Sequence, residues 1–170
     1  RFQVGGGHAA ADKQYGPALI DDDTPPLPHA RFRWSYLVTL LAAAVVLWGA
    51  AMAVLDDPVL RTMGEFFTKA ALVTFGGAYA VLPYVYQGAV ETHQWLSGPQ
   101  MIDGLALGET TPGPLIMVVA FVGFVGGWLK EALGPDALFL GGAVAATVVT
   151  FFTFLPAFVF ILAGGPVVEA

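Results

Sequence analysis

Long stretches without a charged residue alternate with short polar segments along the chain. The uncharged stretches occupy positions 35–55, 70–90, 115–129 and 137–168. As an α-helix rising about 1.5 Å per residue, the first stretch is long enough to cross the roughly 30 Å hydrocarbon core of a bilayer. The last stretch exceeds that need, so it must tilt, kink or extend beyond the core. The pattern predicts an all-α fold, a polytopic bundle of transmembrane helices.

The first 33 residues differ from the rest in composition. They contain a glycine run at 5–7, an aspartate run at 21–23 and three closely spaced prolines, Pro25, Pro26 and Pro28. Such a segment cannot bury enough apolar surface to fold, so we expect residues 1–33 to be a flexible polar linker and residues 34–170 to be the membrane domain. The chain opens at Arg1 without a signal peptide and stops within an apolar region. We therefore expect a part of a longer protein, truncated at the C-terminus.

The overall composition is typical of a membrane protein and argues against nucleic-acid binding. Hydrophobic residues make up 56% of the chain and charged residues 12%, with a mean hydropathy of +0.70. A soluble domain is usually about 25% charged. The formal net charge of −6 argues against nucleic acid as a partner, because nucleic-acid binding requires a basic face.

Residues with catalytic or metal-binding chemistry are sparse. Cysteine is absent, and His8, His29 and His93 lie apart in polar segments, where we expect them to be solvated. The ligands that a transition metal prefers are missing, so we expect no metal and no other cofactor. Neither H-E-x-x-H nor G-x-S-x-G occurs, so we predict no catalytic residues and no enzyme.

Helix-breaking residues interrupt the apolar sequence at two places. The first break is Phe75-Gly76-Gly77, and the second is Thr110-Thr111-Pro112-Gly113-Pro114. Such breaks are tolerated in a membrane where the freed backbone faces protein or a wet cavity, and transporters often bind solutes there. The first turn of the helix after a break presents unpaired N–H groups that attract anions. Solute binding and simple shaping of the bundle explain the two breaks about equally well.

Two carboxylates lie close to the second break. Glu109 abuts the break, and Asp103 precedes it by one and a half to two turns of helix. An ionised carboxylate within a bilayer is costly and usually serves a solute pathway or a proton relay. Glu109 is the better candidate for coupling a proton, with Asp103 second. The alternative for both is a carboxylate at the wet end of a short interfacial helix.

Arg61, Glu65 and Lys69 recur every fourth residue and share one helix face. The simpler interpretation is a stripe of ion pairs at the membrane interface. The sharper one is that Lys69 enters a polar cavity and supplies a cation to an anionic solute.

Local signals predict how the later helices begin and pack. Ser97 and Gln100 fit a capping box that opens a short helix over 100–107, and Thr111 is suited to cap the helix that follows. Gly123 and Gly127 form a small-x-x-x-small pair for close helix packing. In the last stretch, Pro156 predicts a kink, and the Gly-Gly-Pro run at 164–166 predicts the end of the helix.

These motifs together resemble the chromate ion transporter family. The similar runs are FGGAYAVL at 75–82, WLS at 95–97, DGLALGETTPGP at 103–114, TFFTFLP at 150–156 and GGP at 164–166. Their shared order and spacing make the resemblance specific over roughly residues 60–170. Long members of the family resemble two homologous halves in inverted orientation, and this chain is similar to the second half.

The resemblance implies a carrier in the cell membrane (the plasma or inner membrane) that exports chromate and so confers chromate resistance. It also implies a missing N-terminal half or a second chain as partner. On this view the two breaks cradle the oxyanion, with Lys69 nearby, and Glu109 carries a coupling proton. Sulfate or another oxyanion is the first alternative solute. A membrane scaffold that packs through Gly123 and Gly127 and binds nothing is the second alternative.

Overall fold

The computed structural model describes residues 33–73, 78–111 and 117–168. These form six α-helices: α1 (Trp34–Val54), α2 (Pro58–Val73), α3 (Ala78–Tyr86), α4 (Gly98–Thr110), α5 (Val118–Leu129) and α6 (Leu138–Val168). A π-helical turn (Gln87–Thr92) follows α3, and a 3-10 turn (Pro135–Ala137) precedes α6. The described residues contain no strand, which confirms the all-α prediction. Of the predicted linker, all but Arg33 lies outside the described residues.

Two helices in this part of the chain are long and apolar enough to cross a membrane. They are α1 and the segment Pro135–Gly165, which contains most of α6. α1 has no buried residue. It touches α2 and α6 along one side, and the rest of its surface is available to lipid or to further protein. One interhelical hydrogen bond joins it to α2, from Trp48 Nε1 to Thr68 Oγ1 at 3.0 Å.

α2 contributes one buried face to the core. Asp57 caps it, since one carboxylate oxygen accepts hydrogen bonds from the backbone N–H groups of Val59 and Leu60 at 2.8 and 3.1 Å. One face is then buried at helical spacing, with Met63 and Phe67 fully enclosed. This face packs mainly on α6, and the opposite face carries the charged residues of the helix.

α5 and α6 pack closely through glycine, as the small-residue pair predicts. A Cβ built on Gly123 would lie 2.3 Å from Val149 Cγ2, and one on Gly127 would lie 2.4 Å from Ala145 Cβ. Both are distances that real side chains do not tolerate. The neighbour is therefore α6 of the same chain, and the glycine face of α5 is already occupied.

The ends of the later helices differ in part from the predictions. The capping box of Ser97 and Gln100 is confirmed, but its helix runs over Gly98–Thr110 and is longer than expected. Thr111 does not cap α5, which begins only at Val118. Instead it ends α4: its backbone N–H and its hydroxyl both donate to the Leu107 carbonyl, at 3.0 and 2.6 Å. A threonine hydroxyl bonds as readily to the preceding turn as to a following one.

α6 continues through Gly164 and Gly165 to Val168, so the prediction that the helix ends at the Gly-Gly-Pro run is wrong. Glycine weakens a helix by about 1 kcal/mol but does not terminate it by itself. The helix also passes through Pro156 without ending. The kink at Pro156 stays a prediction.

Candidate functional site

The predicted site residues divide into those that the structure describes and those that it does not. Phe75, Gly76 and Gly77 lie outside the described residues, between the end of α2 at Val73 and the start of α3 at Ala78. Pro112, Gly113 and Pro114 also lie outside them, between α4 and α5. Described site residues are Lys69, Asp103, Glu109, Thr110 and Thr111.

Four of these lie on or directly after α4 and have exposed side chains: Asp103, Glu109, Thr110 and Thr111. The Thr110 hydroxyl donates to the Ala106 carbonyl at 2.8 Å, and the Thr111 hydroxyl bonds back to the same helix as described above. Both hydroxyl hydrogens are therefore engaged. An anion could use them as donors only after these bonds to α4 break.

A cavity of about 370 Å³ lies beside the second break, between α4 and α5. Its walls are largely apolar, and Thr111 contributes the polar side chain among them. Its lining residues are Gly104, Leu107, Gly108, Thr111, Met117, Val118, Ala120, Phe121 and Phe124. None of the described lysine, arginine or histidine residues lines this cavity. Positive charge for an anion at the second break must therefore come from another part of the protein.

Lys69 lines a different cavity, of about 280 Å³, between α2, α3 and the π-helical turn. The lining residues are Thr62, Glu65, Phe66, Lys69, Tyr84, Gln87, Gly88, Thr92 and His93. Polar side chains thus form much of its wall. The two cavities share no lining residue, so they form two separate candidate sites, and Lys69 is not brought to Glu109 by either.

The predicted ion-paired stripe on α2 is not formed among the described residues. Arg61 Nε donates instead to the carbonyl oxygen of Leu55, where α1 ends. Glu65 and Lys69 are both exposed and both line the polar cavity. The cavity side of this face therefore carries one carboxylate and one ammonium group.

The π-helical turn shapes this cavity. At its end, the His93 N–H donates a hydrogen bond to the carbonyl of Gly88, five residues earlier, at 2.8 Å. The extra residue brings Gly88 against the ring of Phe66, where a Cβ at position 88 would lie 2.2 Å from Phe66 Cε2. A π-helical turn is rare and occurs often at functional sites.

Aromatic rings form the floor of the cavity. Phe66 stacks on Tyr84 with ring centroids 5.0 Å apart, and His93 stacks on Trp95 at 4.6 Å with an interplanar angle of 10°. The edge of the His93 ring also meets Phe66 at 5.6 Å. The expectation that His93 is simply solvated is wrong, because it is half-buried between these rings.

Burial lowers the pKa of His93 below its usual 6.5, and the positive charge of Lys69 lowers that pKa further. His93 lies outside both membrane-length helices. It is the functional candidate that the sequence analysis missed, together with Gln87. The signal in the sequence was Gly88, since a glycine within an apolar run can mark the close approach of another group.

Two membrane-length apolar helices, together with the close packing of α5 on α6 through glycine, define an all-α membrane protein. The family model described as "Chromate transporter" matches residues 61–170 of the chain. The chain belongs to the chromate transporter family, which confirms the resemblance seen in the sequence.

Several curated relatives support this membership. The "Chromate transport protein" of Pseudomonas aeruginosa is 43% identical over 136 residues, covering 74% of this chain and 29% of the relative. The protein of the same name from Cupriavidus metallidurans is 35% identical over 115 residues, covering 68% of this chain and 25% of the relative. "Uncharacterized transporter YwrA" of Bacillus subtilis is 38% identical over 82 residues, covering 44% of this chain and 46% of the relative. The chain thus spans less than a third of the first two relatives. No solved structure matches it significantly.

Proposed function

We propose that the chain forms part of a membrane carrier that exports chromate and so confers chromate resistance. The observation that carries the proposal is the family match over residues 61–170, which includes both helix breaks and both cavities. The relatives from Pseudomonas aeruginosa and Cupriavidus metallidurans are named for chromate transport. The rest of the carrier is a homologous N-terminal half of the same protein or a second chain, and the carrier crosses the cell membrane several times.

The oxyanion binds at the helix breaks near the middle of the membrane. α5 begins at Val118, shortly after the second break, so the end of α5 nearest the break is its N-terminus, which carries unpaired N–H groups and a partial positive charge. The N–H groups of Gly113, Leu115 and Ile116 are the donors, because Pro112 and Pro114 have none. The hydroxyls of Thr110 and Thr111 add donors once they release their bonds to α4.

Glu109 carries the coupling proton in this proposal, and Asp103 is the second candidate. Glu109 belongs to the last turn of α4 and has an exposed side chain. It can therefore exchange protons with water while it remains next to the solute position.

Sulfate is the alternative solute, since it shares the shape and charge of chromate. Competition between the two anions separates these possibilities. The scaffold alternative loses support, because Gly123 and Gly127 pack against α6 of the same chain and leave that face closed to a partner.

The test is radiolabelled chromate flux into inverted membrane vesicles that carry the natural full-length protein, with and without excess sulfate. Gly113→Leu should abolish flux while the protein still reaches the membrane, because the side chain fills the position of the anion. Gly49→Leu is the matched control, since a Cβ at Gly49 meets no atom within 4 Å. Equal flux in all three proteins would contradict binding at the second break. No flux above empty vesicles would contradict the chromate assignment.

A further inference from the structure

We propose that the cavity between α2, α3 and the π-helical turn is a second anion site, in which Lys69 and protonated His93 together bind a small oxyanion and take up one proton with it. The identity of the anion as chromate or sulfate rests on the proposed function. The site itself rests on the residues that line the cavity and is separate from the helix breaks.

The cavity has the size and the donors for such an anion. Its volume of about 280 Å³ leaves room for an oxyanion with several waters, since one water occupies about 30 Å³. The Lys69 ammonium, the His93 ring, the Gln87 amide and the Tyr84 hydroxyl supply hydrogen-bond donors along its wall. The hydroxyls of Thr62 and Thr92 donate instead to backbone carbonyls, at 2.8 and 3.2 Å.

The charges that line the cavity make binding depend on His93. Lys69 contributes one positive charge and Glu65 one negative charge, so the lining is neutral overall while His93 is neutral. Protonation of His93 gives a net charge of +1, which attracts an anion. Glu91 on the π-helical turn is exposed and does not line the cavity, and α5, which packs nearby, has no charged residue.

Proton and anion then bind cooperatively. Burial and the charge of Lys69 hold the pKa of His93 below 6.5 while the cavity is without an anion. An anion beside both cations favours the protonated imidazole, so binding raises that pKa. By linkage, the anion binds more tightly as pH falls. The aromatic rings of Phe66 and Tyr84 form the apolar side of the cavity, so the polar groups that can bind the anion lie on its other walls.

The test is calorimetric titration with sulfate of the purified natural full-length protein carrying Gly113→Leu, which closes the proposed site at the second break. The titration runs from about pH 5 to about pH 8, where histidine titrates. Each variant below is made in this parent protein and compared with it. The dissociation constant for sulfate should rise about tenfold per pH unit above the pKa of His93, because one proton is taken up per anion. Titrations in buffers of different ionisation enthalpy count that proton directly.

Two variants keep the test independent of folding defects. His93→Arg retains a flat group that stacks on Trp95 and a permanent charge, so sulfate binding should persist without a pH slope. His93→Gln removes the charge, and at low pH its sulfate affinity should fall to the level of the native protein at high pH. His29→Gln changes a histidine in the N-terminal polar segment and should match the native protein.

A pH slope that survives in both His93 variants would overturn the proposal, as would sulfate binding that is undetectable at every pH. The chromate flux experiment above separates this outcome from failure of the proposed function. If chromate flux is intact but the pH dependence of sulfate binding is unchanged in His93→Gln, the second site is contradicted and the proposed carrier function stands. If chromate flux is absent but the pH dependence of sulfate binding is lost in His93→Gln, the second site stands and the chromate assignment is contradicted.

Discussion

Gly88 lies against the ring of Phe66 so closely that a Cβ at position 88 would come within 2.1 Å of Phe66 Cζ. The ring has little freedom to move away, because it stacks on Tyr84 and meets the edge of Trp95 with centroids 5.5 Å apart. This contact fixes the π-helical turn to α2 and so sets the width of the polar cavity.

Gly88→Ala should therefore destabilise the protein by about 1–3 kcal/mol, the usual cost of overpacking. Thermal unfolding in detergent measures the effect. Gly49→Ala is the control, since that position is open. Phe66→Leu combined with Gly88→Ala should recover part of the loss, because the smaller side chain makes room. Additive losses in the double variant would show that the ring and the glycine do not oppose each other.

Gly127→Ala should also lower the unfolding temperature, because its methyl group would meet Ala145 Cβ at 2.4 Å and the Gly141 carbonyl oxygen at 2.6 Å. Gly165→Ala, on α6 where no atom lies within 4 Å, should leave stability equal or raise it by up to about 1 kcal/mol through helix propensity. If both variants unfold at the native temperature, α5 and α6 are not packed through this glycine.

Glu109→Gln should remove the pH dependence of chromate flux, since the amide cannot carry a proton. Flux at a single low pH should persist in part. Glu131→Gln, an exposed carboxylate in the turn between α5 and α6, serves as the control and should keep the native pH profile. An unchanged profile in Glu109→Gln would exclude the coupling role.

Lys69→Gln should raise the pKa of His93 towards 6.5 without reaching it, because burial, the larger cause of the lowered pKa, remains. Nuclear magnetic resonance of the His93 ring protons, assigned with His93→Gln, measures the shift. Lys130→Gln, a lysine at the end of α5, should leave that pKa unchanged.

The same lowered pKa predicts how stability depends on pH. Between the folded pKa and 6.5, the unfolded chain binds more protons than the folded one, so the free energy of unfolding rises with pH. The stabilisation is complete above pH 6.5 and is lost as pH falls through the folded pKa. Unfolding temperatures of the native protein should show this slope, and those of His93→Gln should lack this part of it.

The sequence predicted the helical membrane architecture because a long run of apolar residues permits few other structures. It also predicted the Ser97 cap and the glycine contact of α5, since both depend on side chains a few residues apart. The family resemblance could also be recognised from the sequence, because it depends on local motifs in a fixed order.

A polar cavity at Lys69 was one of two interpretations of the charged face of α2, but the other residues that line the cavity could not be predicted in the same way. It depends on the π-helical turn, which adds one residue to a helix and rotates Gln87 and His93 relative to α2. No periodicity in the sequence encodes that rotation. Nor could spacing reveal that His93 stacks on Trp95, because that arrangement arises only when α2 and the turn pack together.

The glycine contact between α5 and α6 also bears on how the chain folds. The two helices are neighbours in sequence, joined by a short turn in which Glu131 and Gly134 have positive φ angles of 52° and 87°. Little chain entropy is lost in closing so short a loop. Structures made of local contacts form fastest. We therefore expect the α5–α6 hairpin to form early in folding, with α2 docking on it afterwards.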